Sequence, residues 1–149
     1  MKNIKIRKAI QKDLEQIIDL CDEHAAHEDA AYSKIGKKER FALHLFSDNP
    51  PLTCLVVEHE GKLKGYATYM KEYSTWDASY YMHMDCLFLM PELRRQGIGK
   101  KIVDKIKTEA EELDCVNVQW QTPTNNTGAI EFYNKLGAVS RNKKRFYLL

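Results

Sequence analysis

The chain of 149 residues lacks a surplus of charge, a paired cysteine motif and any long apolar run. Lys and Arg number 23 against 21 Asp and Glu, so the net charge of +2 sets up no global field that would draw nucleic acid or an anionic membrane. A basic stripe with interleaved aromatics is also missing, which argues against a nucleic-acid-binding module. Cys21, Cys54, Cys86 and Cys115 stand far apart with no CxxC pair, and no signal-peptide pattern is visible. Four reduced thiols in a cytoplasmic protein, with no membrane partner, is the expectation. Internal repeats and low-complexity segments are absent too. What is present is a globular balance of 44% apolar and 30% charged residues, in a length suited to one domain over residues 1–149.

Ile4 and Ile6 alternate with polar residues as in a half-buried strand, and Asp13 stands where a helix N-cap belongs. Leu14, Ile17, Ile18 and Cys21 then place one apolar stripe on a helix. A second helix is expected over 37–46, with Phe41, Leu45 and Leu43 inward, stopped by Asn49-Pro50-Pro51. Strands over 52–58 and 63–70, split by Glu60-Gly61-Lys62, form a hairpin, and a third over 80–90 completes a meander. Residues 97–113 carry Ile98, Ile102, Ile106, Ala110 and Leu113 near helical period, then Val116, Val118 and Trp120 alternate as a strand. A helix over 126–136 ends at Gly137, and 145–149 can form a last strand. The order β-α-α-β-β-β-α-β-α-β predicts an α/β mixed sheet with helices on both faces.

The sharpest motif is Arg94-Arg95-Gln96-Gly97-Ile98-Gly99-Lys100, between a strand and the first turn of a long helix. A helix start presents unpaired N–H groups and the positive end of the macrodipole, and glycine lets that backbone approach a phosphate. Lys100 or Arg95 could add charge. The spacing is not that of a P-loop, and the third glycine of the dinucleotide fingerprint is missing. Taken alone, the two glycines equally suit a tight strand-to-helix turn.

Arg94-x-x-Gly97-x-Gly99 after a strand, followed by Asn126-x-x-Ala129-x-x-Phe132-Tyr133-x-x-x-Gly137, resembles the GNAT superfamily of N-acetyltransferases. Ser74-Thr75-Trp76-Asp77 and Gln119-Trp120-Gln121-Thr122 are similar to its histone/polyamine acetyltransferase branch. The resemblance spans nearly the whole chain. It implies a splayed mixed sheet, acetyl-CoA as co-substrate, a small-molecule amine as acceptor and a homodimer. It also implies that the amides of Arg95, Gln96, Gly97, Ile98, Gly99 and Lys100 hold the CoA pyrophosphate. The backbone of Cys86, Leu87, Phe88 and Leu89 would line the groove for the pantetheine arm, although the side chains of Leu87 and Leu89 also suit a core. Asn126 and Ala129 would stand beside that arm, with Asn126 equally placed to cap a helix. Tyr133 would protonate the departing thiolate, since a phenol titrates above a thiol.

The attacking amine must first lose a proton. Asp85 interrupts an apolar strand beside the expected groove and is the candidate base, with a cleft carboxylate paired to a cation as its plainer use. His83, two residues away on the same strand face, is the reserve base. Asp22, Glu23, Glu28 and Asp29, with Tyr32, could form an acidic rim for a cation. Trp76 and Asp77, by resemblance, fall near the acceptor entrance together with Trp120. Cys21, His24, His27 and Glu28 are spaced like metal ligands on a helix, but no distant pair completes a set. They are read as a solvated helix face, and no metal is expected. The basic group Arg141, Lys143, Lys144 and Arg145 reads as an exposed loop. Two rivals keep the fold: a protein or histone lysine N-acetyltransferase, and an acyl-CoA-binding sensor with no chemistry.

Overall fold

The computed structural model describes residues 3–149. Strands β1 (Ile4–Lys8), β2 (Thr53–His59), β3 (Lys62–Ser74), β4 (Ser79–Leu89) and β5 (Val118–Gln119) form one sheet in that order. The first four pair antiparallel, and β5 joins β4 parallel. A parallel neighbour needs a crossover, which helix α3 (Ile98–Glu112) supplies. Helices α1 (Leu14–His27), α2 (Lys37–Phe46) and α4 (Thr127–Lys135) complete the chain's regular structure among the described residues.

β2 is apolar without alternation because both of its faces are covered. Leu55 and Val57 meet Ile98, Ile102, Ile106 and Ala110 of α3, with Tyr69, Met82 and Met84 from the neighbouring strands. Cys54 and Val56 point the other way, to Leu14, Ile17 and Leu20 of α1 and Leu45 of α2. The expected mixed sheet with helices on both faces is therefore the observed one. Among the described residues, no helix is long and apolar enough to cross a membrane.

Several expectations need correction. Residues 145–149 make no strand: they pair with nothing among the described residues, and Phe146, Leu148 and Leu149 lie open to solvent. The strand expected over 116–120 shrinks to Val118–Gln119, with Val116 exposed. Leu43 points outward while Phe41 and Leu45 pack inward. Asp13 does not cap α1 with its side chain. It closes a 3-10 turn over Gln11–Asp13, where its buried carboxylate accepts from the Ile10 N–H at 2.8 Å and from Arg7 Nη1 at 2.7 Å. Arg7 also donates to Glu58 on β2 at 2.8 Å, so one guanidinium ties β1, β2 and the entry to α1.

Candidate active site

β4 is where the sheet opens. On one side it is paired to β3 along its whole length. On the other, Met82 and His83 pair with Val118 and Gln119, and β5 then ends. From Met84 to Leu89 that edge of β4 has no strand beside it among the described residues, so the amides and carbonyls on it are free for another partner. Cys86, Leu87, Phe88 and Leu89 lie within this stretch, with Leu87 and Leu89 packed on the α3 side and Cys86 and Phe88 on the α1 side.

The phase of β4 changes at one residue. Thr68 is opposite Cys86 and Tyr69 is opposite Met84, so Asp85 is the extra residue of a β-bulge. Before it, Met82 and Met84 face α3; after it, Leu87 and Leu89 do. The bulge leaves the Asp85 side chain 56% exposed, with Oδ1 3.8 Å from His83 Nε2 and Oδ2 3.7 Å from the Cys86 Sγ. His83 and Asp85 thus lie together.

At the end of β4 the chain passes a 3-10 turn (Pro91–Leu93) and reaches the glycine turn. Arg95 and Gly97 both take left-handed backbone, at φ 62° and 77°. Among the described residues, none of the N–H groups from Arg95 to Lys100 finds an acceptor within the chain. The two glycines have different reasons. A Cβ at Gly97 would meet open space, so the residue serves its backbone angle. A Cβ at Gly99 would come within 2.9 Å of Phe132 Cζ, so the residue serves the close seat of α4 on α3. The charged side chains of the turn have local partners: Arg94 Nε donates to the Leu89 carbonyl at 2.8 Å, and Lys100 Nζ pairs with Asp104 at 2.7 Å.

Across the open edge stands α4. The Asn126 side chain caps it, accepting from the Ala129 N–H at 3.4 Å. Tyr133 packs against Trp120, ring centroids 5.2 Å apart, and beside Phe132. Burial pushes its hydroxyl up to about 12, and the charges of Glu28 and Cys86 act in the same direction. Burial likewise pushes the Cys86 thiol up to about 12, with Asp85 adding to it.

The C-terminal turn of α1 packs on the other face of the sheet, against Phe88 and Tyr66. Cys21 and His24 are not a solvated face. The His24 ring stacks on Phe88 at 5.0 Å and its Nδ1 lies 2.7 Å from the Tyr66 hydroxyl. Tyr32, from the connection between α1 and α2, buries its hydroxyl with no hydrogen-bond partner among the described residues. Lys37 covers the face of its ring at 3.5 Å. Asp29 follows α1 in left-handed backbone and is exposed. Trp76 is 98% exposed at the β3–β4 turn, and Asp77 bonds back to Ser74 there. The structure brings Asp85 together with His83 and Cys86, packs Tyr133 on Trp120, and leaves Trp76 and Asp77 on an outlying turn.

An open strand edge leading to a glycine-built helix start offers free amides of the kind that suit an extended ligand ending in phosphates. Residues 13–138 match the acetyltransferase (GNAT) family, and the chain belongs to that family. It is an acetyl-CoA-dependent N-acetyltransferase of GNAT type. Thialysine N-epsilon-acetyltransferase of Mus musculus is 30% identical over 99% of this chain and 91% of its own. An aminoglycoside acetyltransferase from an uncultured soil metagenomic sample shares the fold at TM-score 0.82 and 22% identity, over 98% of this chain and 96% of that one. The aminoglycoside N-acetyltransferase AAC(6')-Iy, solved with CoA, does so at TM-score 0.78 and 20% identity, over 99% and 95%.

Proposed function

We propose that this enzyme moves acetyl from acetyl-CoA to the primary amine of a small cationic acceptor by direct attack in a ternary complex. The observation that carries the reading is the free edge of β4 from Met84 to Leu89, lying between the glycine turn and Tyr133. Free N–H groups at the turn suit the pyrophosphate, and those of the strand edge suit the pantetheine amides and the thioester carbonyl. Asp85, reached by solvent at its bulge, takes the ammonium proton through water, and His83 steadies it. Tyr133 stays protonated at neutral pH, so it donates a hydrogen bond to the departing sulfur. An ordinary thiol titrates near ~8.5, so full proton transfer from this phenol is uphill and the bond itself is the main stabilisation.

Cys86 is the only cysteine on the open edge, and its raised pKa keeps it a thiol. That supports transfer without an acyl-cysteine. The similarity to thialysine and aminoglycoside acetyltransferases supports an amino-acid or amino-sugar acceptor, and polyamines share the same cationic chemistry. A homodimer of this single domain belongs to the same reading. The uncovered side chains of Phe146, Tyr147, Leu148 and Leu149 support it, since a second copy would shield them.

The test is release of free CoA, followed with a thiol reagent, across thialysine, spermidine, an aminoglycoside and a lysine peptide. Tyr133→Phe is expected to lower kcat about 10²-fold, and Asp85→Asn by a similar factor that shrinks at high pH as the free amine becomes abundant. Binding of CoA without turnover of any of these amines would replace the enzyme reading with a sensor. Turnover of the peptide alone would move the acceptor to protein lysine.

A further inference from the structure

Helix α3 has two long flanks. On one, Gly99 seats Phe132 of α4 beside the open edge of β4. The other faces β1, the strand at the opposite end of the sheet, and there a cavity of about 610 Å³ lies between helix and strand. That volume is in the range of small-molecule sites. Lys105, Thr108 and Glu112, three and four residues apart, bring one face of α3 to it.

The lining combines apolar surface with polar groups that already have partners. Ile6 of β1, Leu55 of β2 and Leu113 at the end of α3 supply the apolar part, and Leu113 remains 42% exposed. Tyr69, 1% exposed, donates its hydroxyl to Glu109, and Lys8 bridges the same carboxylate at 3.2 Å. A buried donor is thereby satisfied, and the charge of Glu109 is answered within the protein. Arg7 is held by Asp13 and Glu58, and Asp104 pairs with Lys100 at 2.7 Å.

Two charges of the lining are left over. Lys105 and Glu112 have no ion-pair or hydrogen-bond partner among the described residues. They are of opposite sign and stand two helical turns apart, ~10 Å along the axis. A simple cation is drawn to Glu112 and repelled by Lys105, and a simple anion the reverse. A molecule with one charge of each sign at the ends of an apolar spacer satisfies both and covers Leu113 as well.

We infer that the cavity between β1 and α3 binds a small zwitterion, an ω-amino acid whose carboxylate meets Lys105, whose ammonium meets Glu112 and whose methylene chain lies on Ile6, Leu55 and Leu113. The cavity shares no side chain with the proposed acetyl-transfer cleft. It is a second site, and its failure would leave the acetyl-transfer reading as it stands.

The test follows the methyl NMR signals of Leu55 and Leu113 during titration with 6-aminohexanoate, hexanoate, hexylamine and glycine, without acetyl-CoA so that no amine is consumed. Saturable shifts of both residues are expected with 6-aminohexanoate, and binding at least about fivefold weaker with the other three. Lys105→Glu and Glu112→Lys should each weaken 6-aminohexanoate about tenfold, since each replaces an attraction with a repulsion. The double variant should recover to within about twofold of wild type, because the zwitterion can lie in reverse. Both side chains are exposed, so melting temperature, kcat and both KM values should change little. No shift of either methyl up to about 20 mM, or equal binding of hexylamine or hexanoate, overturns the inference. Binding that both single variants leave unchanged also overturns it, since the probe would then sit elsewhere. Losses in the single variants without recovery in the double would show that the two charges do not act as a pair, and would overturn it too.

Discussion

Along one edge β4 is paired to β3 at ten positions from Ser79 to Leu89; along the other it meets β5 at two. The paired edge continues through β2 to β1, and every strand there is buried between helices or tied by the Arg7 bridges. The open edge is bordered by α4, which has no fully buried residue, and by a turn whose N–H groups are unspent. A strand with both edges satisfied has nothing left to offer a ligand. On the reading proposed above, stability and chemistry are divided between the two edges of one strand. Substitutions on the paired side should therefore cost folding free energy, and those on the open side should cost function.

The largest effect on the paired side is expected at Asp13, 2% exposed and held by Arg7 and the Ile10 N–H. Asp13→Ala leaves the Arg7 guanidinium without its main partner and should cost about 3 kcal/mol in urea denaturation at pH 7. Its kcat per folded molecule should stay at the wild-type value. Burial works to raise the Asp13 pKa, but Arg7 and the Ile10 N–H outweigh it and hold the carboxyl below its usual range. The unfolded chain thus takes up this proton first. The contribution is fully present above an unfolded value near ~3.9 and is lost as pH falls through the lower folded value. The gap between wild type and Asp13→Ala should accordingly narrow towards pH 3, and a gap that stayed constant would show that the ion pair is not its source.

Gly65 lies on β3 opposite Leu89, where the paired edge backs on to the groove. A Cβ there would stand 2.8 Å from the Phe88 carbonyl and 2.5 Å from Leu89 Cδ2. The side chain can swing away, but the ladder carbonyl cannot. Gly65→Ala should cost about 2 kcal/mol in the same denaturation experiment. A loss within error would mean that β3 and β4 can separate, and the contrast between the two edges would be weaker than drawn.

How much of this was readable beforehand depends on whether a feature is local. The α3 stripe of Ile98, Ile102, Ile106 and Ala110 and the meander of β2 to β4 follow from period alone, and both formed where expected. The glycine turn and Tyr133 were legible as a motif, and Asp85 as a charge in an apolar strand. The alternation of residues 145–149 was equally clear, but a strand also needs a neighbour, and no local pattern supplies one. Glu28 was read in an acidic rim and His24 in a solvated helix face, and the second reading failed because polarity was weighed above the place of His24 on the α1 stripe, where its ring packs on Phe88 and Tyr66. The bulge had a signal that went unused: Met82 and Met84 share one phase, Leu87 and Leu89 the other, and Asp85 is where the count slips. The contacts of Tyr66 with His24 and of Phe132 with Gly99 join residues 42 and 33 positions apart, so only the folded chain shows them.

The smallest expected effect sharpens the contrast most, because it falls on a glycine of the open side. At Gly99 a Cβ would press on Phe132 Cζ at 2.9 Å, and that ring sits at the end of a side chain on a helix with no fully buried residue. The ring can give by a few tenths of an ångström. Alanine also favours the helix by about 1 kcal/mol over glycine, which offsets much of the crowding. Gly99→Ala should therefore change stability by less than about 1 kcal/mol. The displaced Phe132 adjoins Tyr133, and the substituted residue lies in the first turn of α3, so the acetyl-CoA KM should rise about threefold to tenfold with kcat within twofold. Gly97→Ala is the control: its Cβ meets open space, but its φ of 77° penalises any side chain by about 1 to 2 kcal/mol. If Gly99→Ala instead loses as much stability as Gly65→Ala while binding acetyl-CoA normally, the open edge carries folding load, and stability and function are not divided across β4.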